Sequence, residues 1–281
     1  MTKNINQYGI YRLKIELKNF IKQLFFLQSK PTRNVELIYD IYHKIREEKF
    51  QKLNNFKTLE DYFSHNTVLT NDGKLRYSLL NNKVVFGKTK FIAFKKNEII
   101  EGIMNDSNPS NVIELGSGGG DNLLWLASRY KNINFIGLEL SPISVDLSRA
   151  AAKKYNIKNI NFQVCDLTKI ETYEHLLTET TFVYSHHTLE EMPRIYKLPL
   201  RALKNSSVKL IALLEPVYMF KFSRFFLDIG KRLRIKNNDR LIGLKRFCKK
   251  NLSKVFYIEI VDLGLAVKPE NSTTLVILKR K

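Results

Sequence analysis

The feature that most constrains the fold is a regular alternation of short apolar strands and helical segments from about residue 96 onward. Strands are predicted at 111–115, 133–140, 160–165, 181–185 and 208–214. Helices are predicted at 96–106, 121–130 and 142–155, with a weak helix at 171–178 and another that is interrupted at Pro199 and ends near residue 204. This alternation is typical of βαβ units, which build a parallel sheet covered by helices on both faces.

The two ends of the chain differ from this central pattern. Near the C-terminus, segments 255–263 and 273–278 are strand-like and are predicted to pair in antiparallel fashion at one sheet edge. Before residue 96, apolar residues recur at three- and four-residue steps over 10–57, which predicts helices. Asn71-Asp72-Gly73 is a turn signal whose flanks, 67–68 and 84–86, permit a small hairpin. We therefore expect an α/β fold over 96–281, preceded by a helical extension over 1–95.

The charge is high and unevenly distributed. The formal net charge is +20, from 47 basic and 27 acidic side chains. Residues 1–57 carry 12 basic and 5 acidic side chains, residues 221–281 carry 16 and 5, and the segment 111–220 is nearly neutral with 12 and 11. A segregated excess of this kind indicates a surface that meets anions rather than a uniform compositional bias.

Composition also excludes several classes of protein. The two cysteines are too few for a disulfide framework, and no apolar run reaches the roughly 18 residues needed to cross a bilayer. The first residues contain no apolar stretch followed by a small-residue cleavage site. The expectation is therefore a cytoplasmic protein, peripheral to the inner face of a membrane if its basic segments bind there.

A glycine-rich turn follows the first strand of the alternating region. The segment Gly116-Ser117-Gly118-Gly119-Gly120 stands between that strand and the next helix, where glycines let a ligand approach the backbone and helix N-terminal amides point at it. It is not a dinucleotide fingerprint, because the third glycine of that spacing would fall on Asp121 or Leu123. With Glu114 it reads Glu-x-Gly-x-Gly-x-Gly, which resembles the class I S-adenosylmethionine-dependent methyltransferases.

Two acidic residues strengthen the resemblance. Glu139 ends the second strand, where the family binds the ribose hydroxyls, and Asp166 follows the third strand, near the adenine amino group. The resemblance covers about residues 96–215 and implies a seven-stranded Rossmann-like sheet with S-adenosyl-L-methionine as cofactor. The cofactor-binding residues that it implies are Glu114, Gly116, Ser117, Gly118, Gly120, Glu139, Leu140, Asp166 and Leu167. Taken singly, the glycine loop could be a simple turn, Glu139 a helix cap and Asp166 a turn residue.

The segment after the fourth strand supplies candidate catalytic groups. In this fold the loop lies beside the cofactor's methyl group, and here it carries His186, His187 and Glu190. A histidine, with an ordinary pKa near 6.5, is suited to remove a proton from the acceptor. Either His186 or His187 is predicted to activate a hydroxyl, or Glu190 to position an acceptor nitrogen. The alternative is that one histidine packs against the cofactor and the other is solvated. No metal site is proposed.

A basic segment before the last two strands is the remaining feature. Residues 217–254 form an insert in which Lys and Arg alternate with Phe and aliphatic residues. Three interpretations stay open: a lid over the substrate pocket, a helix on an anionic membrane surface, and a nucleic-acid contact, the last being least favoured.

Together these features predict methyl transfer to an oxygen or nitrogen acceptor. The C-terminal run 264–277 is loosely similar to uncharacterised bacterial methyltransferases of surface-polysaccharide pathways, which favours a glycan, lipid-linked or other small-molecule acceptor. The alternatives are an RNA methyltransferase and a non-catalytic module that binds S-adenosylmethionine. The oligomeric state is not predicted.

Overall fold

The computed structural model describes most of the alternating region and parts of both ends. The described residues are 35–64, 76–80, 83–87, 90–192, 195–217, 241, 243–266 and 272–281, together with positions 17, 21, 229, 232 and 233. The predicted helix over 10–25 and most of the basic insert lie outside these residues.

A mixed seven-stranded sheet organises the described part of the chain. Its strands are β3 (Asn111–Leu115), β4 (Asn134–Glu139), β5 (Ile160–Val164), β6 (Thr181–His186), β7 (Leu210–Glu215), β8 (Phe256–Leu265) and β9 (Thr273–Arg280). The strand order is β5-β4-β3-β6-β7-β9-β8, in which β3 to β7 are parallel and β9 is antiparallel to both β7 and β8. The predicted α/β fold and the antiparallel pair at the sheet edge are confirmed.

Helices cover both faces of the sheet and enclose one hydrophobic cluster on each side. One cluster includes Leu138, Val183 and Leu213, and the other includes Val112, Phe162 and Tyr184. Residues that alternate along a strand therefore face opposite layers, as a sheet buried on both faces requires. The helices of this region are α3 (Lys90–Ser107), α4 (Asp121–Arg129), α5 (Pro142–Lys154) and α6 (Lys197–Asn205).

Two helix predictions need correction. The weak helix predicted at 171–178 is instead two short 3₁₀ turns, Ile170–Thr172 and Glu174–Leu176, on either side of Tyr173, which is buried and donates its hydroxyl hydrogen to the Leu167 carbonyl oxygen. The helix expected to be interrupted at Pro199 begins at Lys197, so that this proline lies in the first turn, where a missing N–H costs no helical hydrogen bond. A further 3₁₀ turn, Leu189–Glu191, follows β6.

The N-terminal extension contains α1 (Val35–Gln51), which confirms the helical prediction for that part of 10–57, and α2 (Leu59–Ser64), which lies beyond the predicted helical segment. The hairpin is present but its turn is misplaced: β1 (Arg76–Leu80) pairs with β2 (Lys83–Gly87), and Leu80 pairs with Lys83. The two asparagines between them are as suited to a tight turn as the 71–73 segment. The predicted boundary at residue 96 stays a prediction, because α3 runs through it.

The end of the basic insert belongs to the core. Helix α7 (Leu244–Phe247) continues into a π-helical turn, Cys248–Leu252, and Leu244, Phe247 and Leu252 are buried in the sheet's hydrophobic cluster. The Phe247 ring meets the Tyr196 ring edge to face with centroids 6.2 Å apart. Phe247 therefore does not belong to an external binding face, because its ring packs inward. No helix of the described residues is long and apolar enough to span a bilayer.

Candidate active site

The glycine turn adopts a backbone that other residues would not tolerate. Gly116, Gly118 and Gly120 have φ angles of 70°, 55° and 75°, in the left-handed region. A Cβ atom on Gly116 would lie 2.2 Å from a Thr188 methyl carbon, and one on Gly120 would lie 2.7 Å from the Phe162 ring. The turn is thus held against β5 and the loop after β6, at the carboxyl ends of the strands.

Glu139 connects the end of β4 to this turn. Its Oε2 accepts a hydrogen bond from the Gly118 N–H at 2.9 Å, and its Oε1 accepts one from the Ser141 N–H, also at 2.9 Å. Each carboxylate oxygen has a second lone pair. The side chain is partly exposed. Glu139 is therefore oriented by the backbone on one side and remains able to accept two further hydrogen bonds on the other.

Asp166 lies immediately after β5, the strand next to β4. Its Oδ1 accepts hydrogen bonds from the Thr168 backbone N–H at 2.9 Å and the Thr168 hydroxyl at 2.7 Å. The Cys165 N–H donates to the Glu139 carbonyl oxygen at 2.8 Å, so the segments that carry the two carboxylates are adjacent. Leu167 is buried, whereas Leu140 is 43% exposed beside Glu139. The structure brings the predicted acidic residues to one edge of the sheet.

Glu114 is buried beneath the turn and linked to His186 by Asn122. The Asn122 side-chain nitrogen lies 2.8 Å from Glu114 Oε1 and 3.2 Å from His186 Nδ1. Burial raises the pKa of the Glu114 carboxyl to about 8, although the hydrogen bond from Asn122 opposes that shift. The Glu114 Oε2 and Ser117 Oγ atoms are buried without a hydrogen-bond partner among the described residues.

His186 lies at the end of β6, and one of its two ring nitrogens has no partner among the described residues. Its Nε2 atom is buried and has no hydrogen-bond partner among the described residues. Burial, reinforced by the charge of Lys96 and by His187, lowers the pKa of His186 well below its usual value. The imidazole is consequently neutral at physiological pH, which a group that is to accept a proton requires.

His187, in contrast, has partners at both ring nitrogens. Nδ1 lies 2.6 Å from Glu190 Oε1, and Nε2 lies 2.8 Å from the Thr273 hydroxyl and 3.1 Å from Lys96 Nζ. Its backbone φ of 56° is in the left-handed region, which is costly for a residue with a side chain. Burial lowers the pKa of Lys96 to about 8, while the charges of Glu190 and Glu215 oppose that shift.

Glu215, at the end of β7, holds the loop after β6 in place. Its Oε1 accepts hydrogen bonds from the Ser185 hydroxyl at 2.8 Å and from the backbone N–H groups of Thr188 and Leu189 at 3.1 and 3.0 Å. Its Oε2 accepts one from the Glu190 N–H at 3.2 Å. Burial raises the pKa of Glu215 to about 8 against these hydrogen bonds. The loop that carries the candidate catalytic groups is therefore fixed from below.

The N-terminal extension contacts the glycine turn directly. Lys49 of α1 forms an ion pair with Asp121 at 2.5 Å, and the Tyr62 hydroxyl of α2 donates to the Gly119 carbonyl oxygen at 2.6 Å. The Lys49 ammonium also lies 3.7 Å from the centre of the Tyr62 ring. Arg46 lies beside the same turn. Asp121 thus pairs with a side chain 72 residues away in the chain in addition to beginning α4.

The site therefore contains predicted and unpredicted residues. Sequence reasoning identified the glycines, both strand-end acids and the two histidines. It missed Asn122, Lys96, Thr273, Glu215 and the residues of the extension. Glu215 had a readable signal, an acidic residue directly after the apolar run 210–214, whereas the contacts of α1 and α2 had none. Within the described ranges, no group of three or more His, Cys, Asp or Glu side chains is arranged to hold a metal ion.

The raised pKa of Glu114 predicts a pH-dependent loss of stability. Between the ordinary carboxyl pKa and about 8, the folded protein holds a proton that the unfolded chain releases. We expect wild type to lose free energy of unfolding relative to Glu114→Gln as the pH rises from 5 to 8, by at most about 1.4 kcal/mol per pH unit.

Urea denaturation at several pH values measures this difference. The matched control is Glu259→Gln, which changes an exposed carboxylate on β8 and is expected to keep the wild-type pH profile. Parallel profiles for wild type and Glu114→Gln would contradict the assignment of a proton to Glu114.

Comparisons with known proteins agree with this geometry. A family model described as a methyltransferase domain matches residues 106–223. An uncharacterized protein of Rickettsia prowazekii is 28% identical over 88 residues, a match that covers 31% of this chain and 15% of that protein. The chain thus spans well under two thirds of the length of this relative.

Two solved structures are similar to part of this chain. The methyltransferase domain of bacterial CtHen1 is 12% identical with a TM-score of 0.49, covering 67% of this chain and 99% of that one. The magnesium protoporphyrin IX methyltransferase of Synechocystis PCC 6803 with bound SAH is 13% identical with a TM-score of 0.49, covering 69% and 85%. The family model covers the segment that carries the motifs along β3, β4 and β5, so residues 106–223 are similar to a methyltransferase domain.

Proposed function

We propose that the chain transfers the methyl group of S-adenosyl-L-methionine to an oxygen or nitrogen atom of a glycan, lipid-linked or other small-molecule acceptor. The observation that carries this proposal is the bond between Glu139 and the Gly118 N–H, which joins the ribose-binding carboxylate to the turn that would surround the methionyl group. Asp166 lies on the neighbouring strand end, where adenine would reach it.

The described residues fit this cofactor. A Cβ atom on Gly116 or Gly120 would collide with Thr188 or Phe162, so these positions require glycine and the turn presents backbone groups at the strand ends. Glu139 is held by two backbone donors and keeps one lone pair on each oxygen for the two ribose hydroxyls. The exposed Leu140 side chain offers an apolar surface beside them. When bound, the cofactor supplies an activated methyl group on a sulfonium.

Because the methyl group is already activated, the residues of the chain have to position the acceptor and remove its proton. We assign the role of accepting the proton of the methyl acceptor to His186 Nε2, the buried ring nitrogen without a partner among the described residues. His187 is unsuited to this role, since Glu190 and Thr273 engage its two ring nitrogens. His187 and Glu190 instead hold the loop that follows His186, and Glu215 supports that loop from below.

The state of Glu114 sets whether His186 Nε2 can act as a base. With the Asn122 nitrogen directed at both neighbours, Nδ1 accepts a hydrogen bond and Nε2 carries the ring proton. If the amide turns by 180°, its oxygen accepts from Nδ1–H and from a protonated Glu114, and the Nε2 lone pair becomes available. The raised pKa of Glu114 favours this second arrangement.

The acceptor class is supported by the charge of the chain. The net charge of +20 is concentrated near the two ends, whereas the segment with the cofactor motifs is almost neutral. The basic ends would attract an anionic glycan or lipid-linked acceptor without disturbing the cofactor site. The basic insert has three interpretations: a lid, a membrane contact or a nucleic-acid contact. All three stay predictions, because most of residues 217–254 lie outside the described residues.

Removing the Glu139 carboxylate should weaken binding of the cofactor product. We expect Glu139→Ala to reduce the affinity for S-adenosylhomocysteine by a few kcal/mol, since two charge-assisted hydrogen bonds to the ribose are lost. Isothermal titration calorimetry measures this change. Glu171→Ala, at an exposed site after β5, is the matched control. An unchanged affinity in Glu139→Ala would contradict the proposed cofactor site.

Removing His186 should slow methyl transfer without affecting binding. We expect His186→Ala to lower the rate by roughly 10²–10⁴-fold, as loss of a general base does, and to leave the affinity for S-adenosylhomocysteine unchanged. The measurement is incorporation of a tritium-labelled methyl group into lipid, glycan, protein and RNA fractions of a lysate. His175→Ala, an exposed histidine, should keep the wild-type rate.

The outcome also separates the alternative functions. Label in the glycan or lipid fraction supports the proposed acceptor, and label confined to RNA overturns it. Cofactor binding without transfer to any fraction would indicate a binding module rather than an enzyme. A wild-type rate in His186→Ala would remove the catalytic role of that histidine.

A further inference from the structure

We propose that Arg46, in the N-terminal extension, binds the carboxylate of the amino-acid portion of the cofactor. The inference rests on the proposed function and assigns to the extension a part of the cofactor site outside the residues that match the methyltransferase family. The ligand chemistry is that of an α-amino-acid carboxylate held on a nucleoside.

The guanidinium of Arg46 lies against the glycine turn. A Cβ atom on Gly118 would lie 3.0 Å from Arg46 Nη2, and one on Gly119 would lie 2.9 Å from Arg46 Nη1. The planar group therefore faces the stretch of backbone that would surround the methionyl group. The absence of side chains on these two glycines leaves the guanidinium and the turn in direct proximity.

Arg46 is buried, and two of its three side-chain nitrogens have no hydrogen-bond partner among the described residues. Its exposed fraction is 7%, and neither Nε nor Nη1 has a hydrogen-bond partner among the described residues. Its nearest acidic atom in an ion pair is Asp121 Oδ2, at 3.7 Å from Nη1, which is beyond hydrogen-bond distance. A buried cation with unused donors is costly unless an anion completes it.

The local charge indicates which kind of ligand completes the site. Asp121 forms its short contact, 2.5 Å, with Lys49 rather than with Arg46. Two cationic side chains thus share the Asp121 carboxylate, and the Arg46 guanidinium is the one left without a close acidic partner. A guanidinium matches a carboxylate in a bidentate, planar geometry. The carboxylate of a bound amino acid would neutralise this guanidinium and occupy the unused donors.

Arg46 is not needed to attach the extension to the domain. The Tyr62 hydroxyl bonds to the Gly119 carbonyl oxygen, and Lys49 pairs with Asp121. Helix α1 also packs on α5, and Lys154 Nζ donates to the Leu53 carbonyl oxygen at 2.7 Å. A change at Arg46 is therefore expected to alter ligand selectivity while the extension remains docked.

Two nucleosides distinguish this role from a structural one. S-adenosylhomocysteine carries the amino-acid carboxylate, and 5′-methylthioadenosine has the same nucleoside thioether without it. Calorimetry on the full chain should show that Arg46→Gln lowers the affinity for S-adenosylhomocysteine by about 10–100-fold, as loss of a charge-assisted hydrogen-bonded pair implies. Its affinity for 5′-methylthioadenosine should stay within about twofold of wild type, because no contact to that ligand is lost.

Two further variants and a thermal melt complete the test. Lys44→Gln removes an exposed charge from the same helix and should change neither affinity. Arg46→Lys keeps the positive charge but lacks the planar guanidinium that can bind a carboxylate with two parallel hydrogen bonds. Its affinity for S-adenosylhomocysteine should therefore lie between those of wild type and Arg46→Gln. If both Arg46 variants have a lower melting temperature than wild type, the affinity of wild type for S-adenosylhomocysteine is compared with that for its decarboxylated analogue. The proposal then requires at least about a tenfold higher affinity for S-adenosylhomocysteine.

The failures are distinguishable. The role of Arg46 is overturned, and the proposed function left intact, by any of three results. These are an equal loss of affinity for both nucleosides in Arg46→Gln, unchanged affinities in that variant, and a wild type that does not prefer the carboxylated ligand. Wild type that binds neither nucleoside overturns the proposed function and this inference together.

Discussion

The site depends on one carboxylate that joins two strand ends. Glu139 ends β4 and accepts the N–H of Gly118, a residue of the turn after β3, and the N–H of Ser141, which precedes α5. This arrangement is possible only because the turn takes left-handed φ angles that aim its amides at the neighbouring strand. A shift of the turn would release Glu139, so the position of this carboxylate and that of the turn are coupled.

Around this contact, three separate elements restrict the turn. Phe162 packs against it from β5, the loop after β6 abuts it through Thr188, and the extension reaches it through Tyr62 and the Asp121 pair. The Glu215 carboxylate in turn accepts three hydrogen bonds from the loop after β6 and one from Ser185 within β6. The Glu215 carboxylate thus serves to hold backbone, whereas His186 Nε2 and Arg46 Nε and Nη1 are among the buried atoms that have no hydrogen-bond partner within the described residues.

The part of the site that the sequence predicted is the part that local pattern encodes. Gly116 and Gly118 follow a strand directly, and Glu139 and Asp166 end or follow neighbouring parallel strands, so the topology alone brings them together. Contacts such as Lys49 with Asp121 join residues 72 positions apart, and nothing in the helical periodicity of α1 specifies which loop it meets. The hairpin turn was misplaced for a related reason, because two turn signals of similar strength stand close together.

A crystal of the full chain soaked with S-adenosylhomocysteine tests the central claim most directly. The predicted result is density at the carboxyl ends of β3, β4 and β5, with both ribose hydroxyls within hydrogen-bond distance of the Glu139 carboxylate and the adenine beside Asp166. Density for the nucleoside elsewhere, or a ribose that makes no contact with Glu139, would contradict the claim that this carboxylate and the glycine turn form the methyl-donor site.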